Sequence, residues 1–326
     1  AWHAGAGLLG AALTVLLAAT PVTAAPRLAL PSATAPAYAG DFPDPAVLVV
    51  AGTYYAYSTQ VGATNVPVMR STDLAEWTPI SDALPRLPGW ASPGATWAPS
   101  VIASGTGYVM YYTVRQTSSG RQCISVATAN DPAGPFTDVS SGPLVCQLSL
   151  GGSIDPSVFT DAHGRSYLLW KSDNNALGQP TSLWSRPLAT GGSGFAPFSA
   201  PTRLLTQSAA WQAPAVEGPS MVRSGGTYYL FYGANNWDSA TSGIGYATCS
   251  GPLGPCRNQS TAGPWLASAA GGSPPIGPQG PAVFTDATGH TRLAFAAWNG
   301  PVGYPNGVRA LFTAPLSFTN GKPVLN

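Results

Sequence analysis

Five times along the chain a proline is followed by Ser or Ala and then by Val or Met. The copies are Pro45-Ala46-Val47, Pro99-Ser100-Val101, Pro156-Ser157-Val158, Pro219-Ser220-Met221 and Pro281-Ala282-Val283, spaced 54, 57, 63 and 62 residues apart. Each copy leads into a Gly-containing turn and then a strand-like run rich in aromatics. Those runs are Thr53–Ser58, Tyr108–Thr113, Ser166–Lys171, Thr227–Tyr232 and Thr291–Ala296. Two of the turns, Asp161-Ala162-His163-Gly164 and Asp286-Ala287-Thr288-Gly289, have hairpin chemistry. A third run follows, as in Val66–Ser71 and Ile124–Thr128. An antiparallel unit this small cannot bury both of its faces alone, so five at nearly constant spacing should stack around one axis. The pattern predicts an all-β chain, a five-bladed β-propeller over residues 40–326.

Ahead of the repeats, Gly7–Ala19 is an apolar stretch of signal-peptide length, and Val22-Thr23-Ala24 fits a small-residue cleavage site. Spanning a bilayer takes roughly 18–20 apolar residues, so an anchor is the poorer reading. Residues 1–25 therefore read as an export signal and residues 26–39 as a flexible leader. A secreted monomer with no membrane attachment after cleavage is expected. Four cysteines suit that compartment. Cys249 and Cys256 bracket a tight Gly-Pro loop, which makes a local disulfide feasible and leaves Cys123 with Cys146; four cysteines allow three connectivities. None sits in a zinc-ligand or catalytic-thiol arrangement. Formal net charge is +1 with no run of Lys or Arg, so nucleic-acid binding has no support. A neutral, aromatic-rich chain suits uncharged ligands such as sugars.

The residues just before the repeated prolines should occupy equivalent places around one axial funnel. They are Asp44, Ala98, Asp155, Gly218 and Gly280, and Glu217 stands one step earlier in the fourth copy. Three of only thirteen acids thus fall on one ring. Of the two glutamates, Glu76 lies in a polar turn, whereas Glu217 has apolar flanks of the kind that raise a carboxyl pKa. Asp-Pro also starts ordinary turns, as in Asp131-Pro132-Ala133-Gly134. Clustering on one ring favours chemistry over turns.

Five stretches carry a resemblance to glycoside hydrolase family 43. They are Gly40-Asp41-Phe42-Pro43-Asp44-Pro45, Gly152-Ser153-Ile154-Asp155-Pro156, Val216-Glu217-Gly218-Pro219, Trp97-Ala98-Pro99-Ser100-Val101 and Ser71-Thr72-Asp73-Leu74-Ala75-Glu76-Trp77. The resemblance implies an inverting hydrolase of arabinose- or xylose-containing plant cell-wall glycans. In it Asp44 is the general base, Glu217 the general acid and Asp155 the residue that tunes the acid. An α-L-arabinofuranosidase is the expected activity, with a β-xylosidase or endo-arabinanase as alternatives, and a non-catalytic carbohydrate-binding propeller as the non-enzymatic one. Retaining fructan- or sucrose-cleaving propellers resemble this chain less, since Ile-Asp-Pro and Glu-Gly-Pro stand where they carry Arg-Asp-Pro and Glu-Cys-Pro. Trp97, Trp211 and Arg309 are the candidates for holding substrate. Relatives often carry an axial metal beside a fifth-blade His; this chain has Gln279 in Gly277-Pro278-Gln279-Gly280, so no cofactor is expected and an axial calcium is disfavoured.

Overall fold

The computed structural model describes residues 1–2, 28–29 and 35–326, apart from residue 106. The stretch read as an export signal lies outside these, but for residues 1–2. Five antiparallel sheets follow one another along the chain. Blade 1 comprises Ala46–Val50, Thr53–Tyr57, Pro67–Ser71 and Thr78–Asp82. Blade 2 has three strands, Ala91–Ser104, Gly107–Gln116 and Gln122–Ala129. Blade 3 comprises Ser153–Thr160, Ser166–Ser172, Ser182–Pro187 and Thr202–Thr206. Blade 4 is built on Val216–Ser224, Thr227–Ala234 and Gly243–Cys249, and blade 5 comprises Ile276–Thr285, Thr291–Trp298, Arg309–Thr319 and Lys322–Leu325. The helical segments among the described residues are 3-10 turns of three or four residues. This is the expected five-bladed propeller.

Strand alternation explains why the second strand of each blade is apolar without a polar face. In blade 4, Leu230 and Tyr232 pack toward blade 3 with Leu169 and Leu183. Their neighbours Tyr229 and Phe231 pack toward blade 5 with Phe295 and Phe312. The same holds in blade 2, where Met110 and Tyr112 face blade 1 and Val109 and Tyr111 face blade 3. Five apolar clusters result, one in each seam between blades. Each fully buried side chain contributes about 1.5–3 kcal/mol, and no blade could gain this alone.

The last seam is closed by chain that precedes blade 1. Tyr38 and Leu311 exchange both backbone hydrogen bonds, at 3.2 and 3.0 Å, and the Phe42 N–H donates to Arg309 O at 2.8 Å. Phe42 is buried among Tyr54, Met69 and Trp77 of blade 1 and Phe284 and Leu311 of blade 5. The leader expected to be free over 26–39 is therefore held where it meets the domain. Leu28–Ala29 also pairs with Leu266–Ala267. Both disulfides, Cys123–Cys146 and Cys249–Cys256, form as expected.

Candidate active site

All five residues before the repeated prolines adopt left-handed backbone: φ is 51° at Asp44, 42° at Ala98, 56° at Asp155, 55° at Gly218 and 59° at Gly280. Non-glycine residues pay a steric cost there, least for Asp and Asn. The inner strands of blades 2, 3, 4 and 5 also shift register across this step, and a bulge of this kind re-aims side chains. Five equivalent kinks thus face one funnel of about 830 Å³. Asp44, Asp155 and Glu217 all line it, as do Trp97 and Arg309.

Asp44 is held by cationic and neutral donors. The Arg309 guanidinium reaches across from blade 5 with both terminal nitrogens, at 2.7 Å to Oδ1 and 3.3 Å to Oδ2. Thr59 Oγ1 donates to Oδ2 at 2.7 Å. Such a two-point grip orients a carboxylate more firmly than a single bond. Arg309 is itself positioned through its backbone N–H, which donates to Asp41 Oδ1 at 2.8 Å, and Tyr304 Oη donates to the same carboxylate.

Asp155 stands in the opposite situation. Its carboxylate receives one backbone donor, the Gly218 N–H at 3.0 Å, which draws it against the residue that follows Glu217. Burial first, then the neighbouring Glu217 charge, push the Asp155 carboxyl up to about 7; Asp44 adds to this, while Lys171 and the Gly218 N–H oppose it. Glu217 Oε2 accepts from Lys171 Nζ at 3.2 Å, and the same ammonium reaches Asp173 Oδ1 at 3.2 Å. A buried cation thus lies against Glu217, and the carboxyl pushed up on this side of the funnel is that of Asp155. No hydrogen bond joins Asp44 to Glu217 among the described residues; each carboxylate has its own cation.

Trp211 does not line the funnel. Its indole N–H donates to Ser260 O at 2.7 Å and its ring stacks on Tyr232, within the seam between blades 3 and 4. Its expected place at a sugar subsite is corrected: the 3-10 turn at Ala210–Gln212 turns it into the core. The funnel wall instead carries Trp237 and Tyr304 with rings 6.0 Å apart, backed by Trp298. Sequence reading missed these two, since both lie in loops between strands. It also missed Lys171, although a lysine that continues an apolar strand face is a signal. Gln279, at the place of the axial His, donates its amide to Ala234 O and Ser242 Oγ. Its carbonyl oxygen is buried against Gly233. No group of three His, Cys, Asp or Glu side chains able to hold a metal occurs among the described residues.

Comparison with known proteins agrees with this geometry. An arabinoxylan arabinofuranohydrolase of Bacillus subtilis is 31% identical over 214 residues, covering 59% of this chain and 40% of its own length. A β-D-galactofuranosidase of Aspergillus niger is 28% identical over 242 residues, covering 68% of this chain and 64% of its own. The chain thus spans less than two thirds of these relatives. A probable arabinan endo-1,5-α-L-arabinosidase of Aspergillus clavatus, 26% identical, is covered over 87% of its length and 84% of this chain. Among solved structures, an endo-1,4-β-xylanase from Bacteroides thetaiotaomicron superposes with a TM-score of 0.74 at 25% identity, covering 90% of this chain and 97% of that one. The family model for glycosyl hydrolases family 43 matches residues 33–323, and the chain belongs to that family.

Proposed function

We propose that this protein hydrolyses glycosidic bonds in arabinose- or xylose-containing glycans with inversion, releasing terminal α-L-arabinofuranose. The observation that carries the reading is the pairing of two unlike acidic sites across one funnel. Asp44, gripped by a guanidinium, is an oriented carboxylate. Asp155 and Glu217 form a crowded pair in which a proton is retained near neutral pH. A glycosidase that inverts needs that combination. Asp44 takes a proton from water as its oxygen attacks the anomeric carbon. Glu217 gives a proton to the glycosidic oxygen as that bond breaks. Exchange with solvent restores both. Asp155 serves the acid by disfavouring a second negative charge beside it.

A furanose substrate is supported by the likeness to an arabinofuranohydrolase and a galactofuranosidase, both named for five-membered sugars. Endo action on arabinan is the second reading, favoured by the relative whose length is most fully covered among those named here. The two disulfides support an oxidising compartment and hence secretion. Nothing in this mechanism requires a metal, so activity should survive EDTA.

The test is a panel of chromogenic α-L-arabinofuranoside, β-D-xyloside and β-D-galactofuranoside with arabinan and arabinoxylan. Proton NMR then identifies the anomer formed first. Inverted product is expected, and Glu217→Ala should lose far less on aryl substrates with good leaving groups than on natural linkages. A product of retained configuration would refute the assignment.

A further inference from the structure

Lys171 is one of two lysines in the chain, and its side chain is only 1% exposed. Strand alternation explains its position. Tyr167 and Leu169 face blade 4 in the apolar seam, and Lys171, two residues on, points the same way. There the seam opens into the funnel. Within this strand pair the register shifts between Leu169 and Lys171, opposite the Asp155 kink, and Lys171 pairs with Ile154. A buried ammonium is strongly unfavourable unless partnered, and an aliphatic side chain would extend the seam without that cost. The seam ends in a cation instead, 3.2 Å from Glu217 Oε2.

The charges around this point can all be named. Glu217, Asp173 and Asp155 face the ammonium. Asp44 acts on Asp155 from blade 1, and Arg309 senses both Asp44 and Glu217 from blade 5. Four carboxyls thus share two cations. Arg309 is committed to Asp44 by two hydrogen bonds, which leaves Lys171 as the cation in contact with the acid. Asp173 competes for it at the same distance.

We propose that Lys171 is a positioning residue for the proton donor: it fixes the Glu217 carboxyl at the rim of blade 4, and its charge decides how tightly the Asp155–Glu217 pair holds the shared proton. This rests on Glu217 being the donor. Asp173 is the counterweight that keeps the ammonium from over-stabilising the ionised pair.

Two substitutions should act in opposite directions. Lys171→Met removes the cation, so the pair keeps its proton to higher pH and the alkaline limb of kcat/KM moves up by about one to three pH units. kcat on substrates with poor leaving groups falls about tenfold, because a tighter-held proton is transferred less readily. Asp173→Asn frees the ammonium for the pair and moves the same limb down. Lys171→Arg keeps the charge and restores the limb toward its original place. The same shifts should be read directly by 13C NMR titration of the side-chain carboxyls, assigned with Asp155→Asn and Glu217→Gln. If the unmodified protein cleaves no glycoside, the functional reading fails, and the carboxyl titration still decides the role of Lys171. Should Lys171→Met not fold, Asp173→Asn carries the test alone. Titration unmoved by Asp173→Asn, or moved the same way by both substitutions, would overturn the proposal.

Discussion

Asp44 and Asp155 are the same station in two blades. Each precedes the repeated proline, each has left-handed backbone, and both line one funnel. Their neighbours make them different reagents. Asp44 is gripped by Arg309 and Thr59, whereas Asp155 has one backbone donor and a glutamate for company. The repeat decides where a side chain points. The adjoining blade decides which charges and donors that side chain meets. Two copies of one motif can therefore be assigned opposite tasks without any change in local backbone.

The largest effect should come from removing the gripped member. Asp44→Ala is expected to lower kcat by about 10³-fold or more even on activated aryl glycosides, since the attacking water always needs a base. Steady-state kinetics on one good and one poor leaving group checks this. Equal loss on both fits the assignment, and activity recovered on the good one would break it.

Neutralising the other member should change pH behaviour first. Because the Asp155 carboxyl is pushed from 3.8 up to about 7, the folded protein binds more protons than the unfolded chain between those values. Its contribution to stability is full below 3.8 and is lost as pH rises through about 7. Asp155→Asn removes that loss, so the variant should gain about 1–3 kcal/mol above pH 7 and little at acid pH. Urea melts at pH 4 and pH 8 measure the difference. Its alkaline activity limb should also fall by about one pH unit or more, because the carboxyl raised to about 7 is gone.

The smallest contrast lies in two threonines. Thr59 Oγ1 donates to the Asp44 carboxylate and accepts from the Ala98 N–H, while Thr113 Oγ1 accepts only from the Asp155 N–H. Thr59→Val should reduce kcat/KM roughly tenfold, the scale of one hydrogen bond to a charged group. Thr113→Val should leave kcat/KM within a few-fold, while each substitution strands one backbone N–H and costs about 1–3 kcal/mol of stability. Paired kinetics separate the two, and melts check the shared cost.

The comparison also marks what was legible in the chain. Pro-Ser-Val repeats are local, so the five blades and the ring carrying Asp44, Asp155 and Glu217 could be read from spacing. The partners could not, because Arg309 reaches Asp44 across 265 positions and Lys171 reaches Glu217 across 46. Trp211 shows the limit from the other side. An aromatic beside a ring motif looks like a sugar platform, yet whether it faces funnel or seam depends on one turn of 3-10 helix. Trp237 and Tyr304 come from separate loops, and only tertiary packing sets their rings side by side.

Asp41, Asp44 and Arg309 all belong to the seam where the ring is sealed, and Phe42 is the plug that fills it. Local openings in proteins tend to start where few cooperative contacts hold a segment, and here residues 37–42 are a single ply of chain lying on blade 5. Heating should therefore disarm the protein before it melts it. As that ply lifts, the Arg309 guanidinium and the Asp44 carboxylate drift apart while Glu217, held by Lys171 of blade 3, stays seated. Activity would fade some degrees below the calorimetric transition and return on cooling, and a tether between residue 40 and blade 5 would bring the two temperatures together.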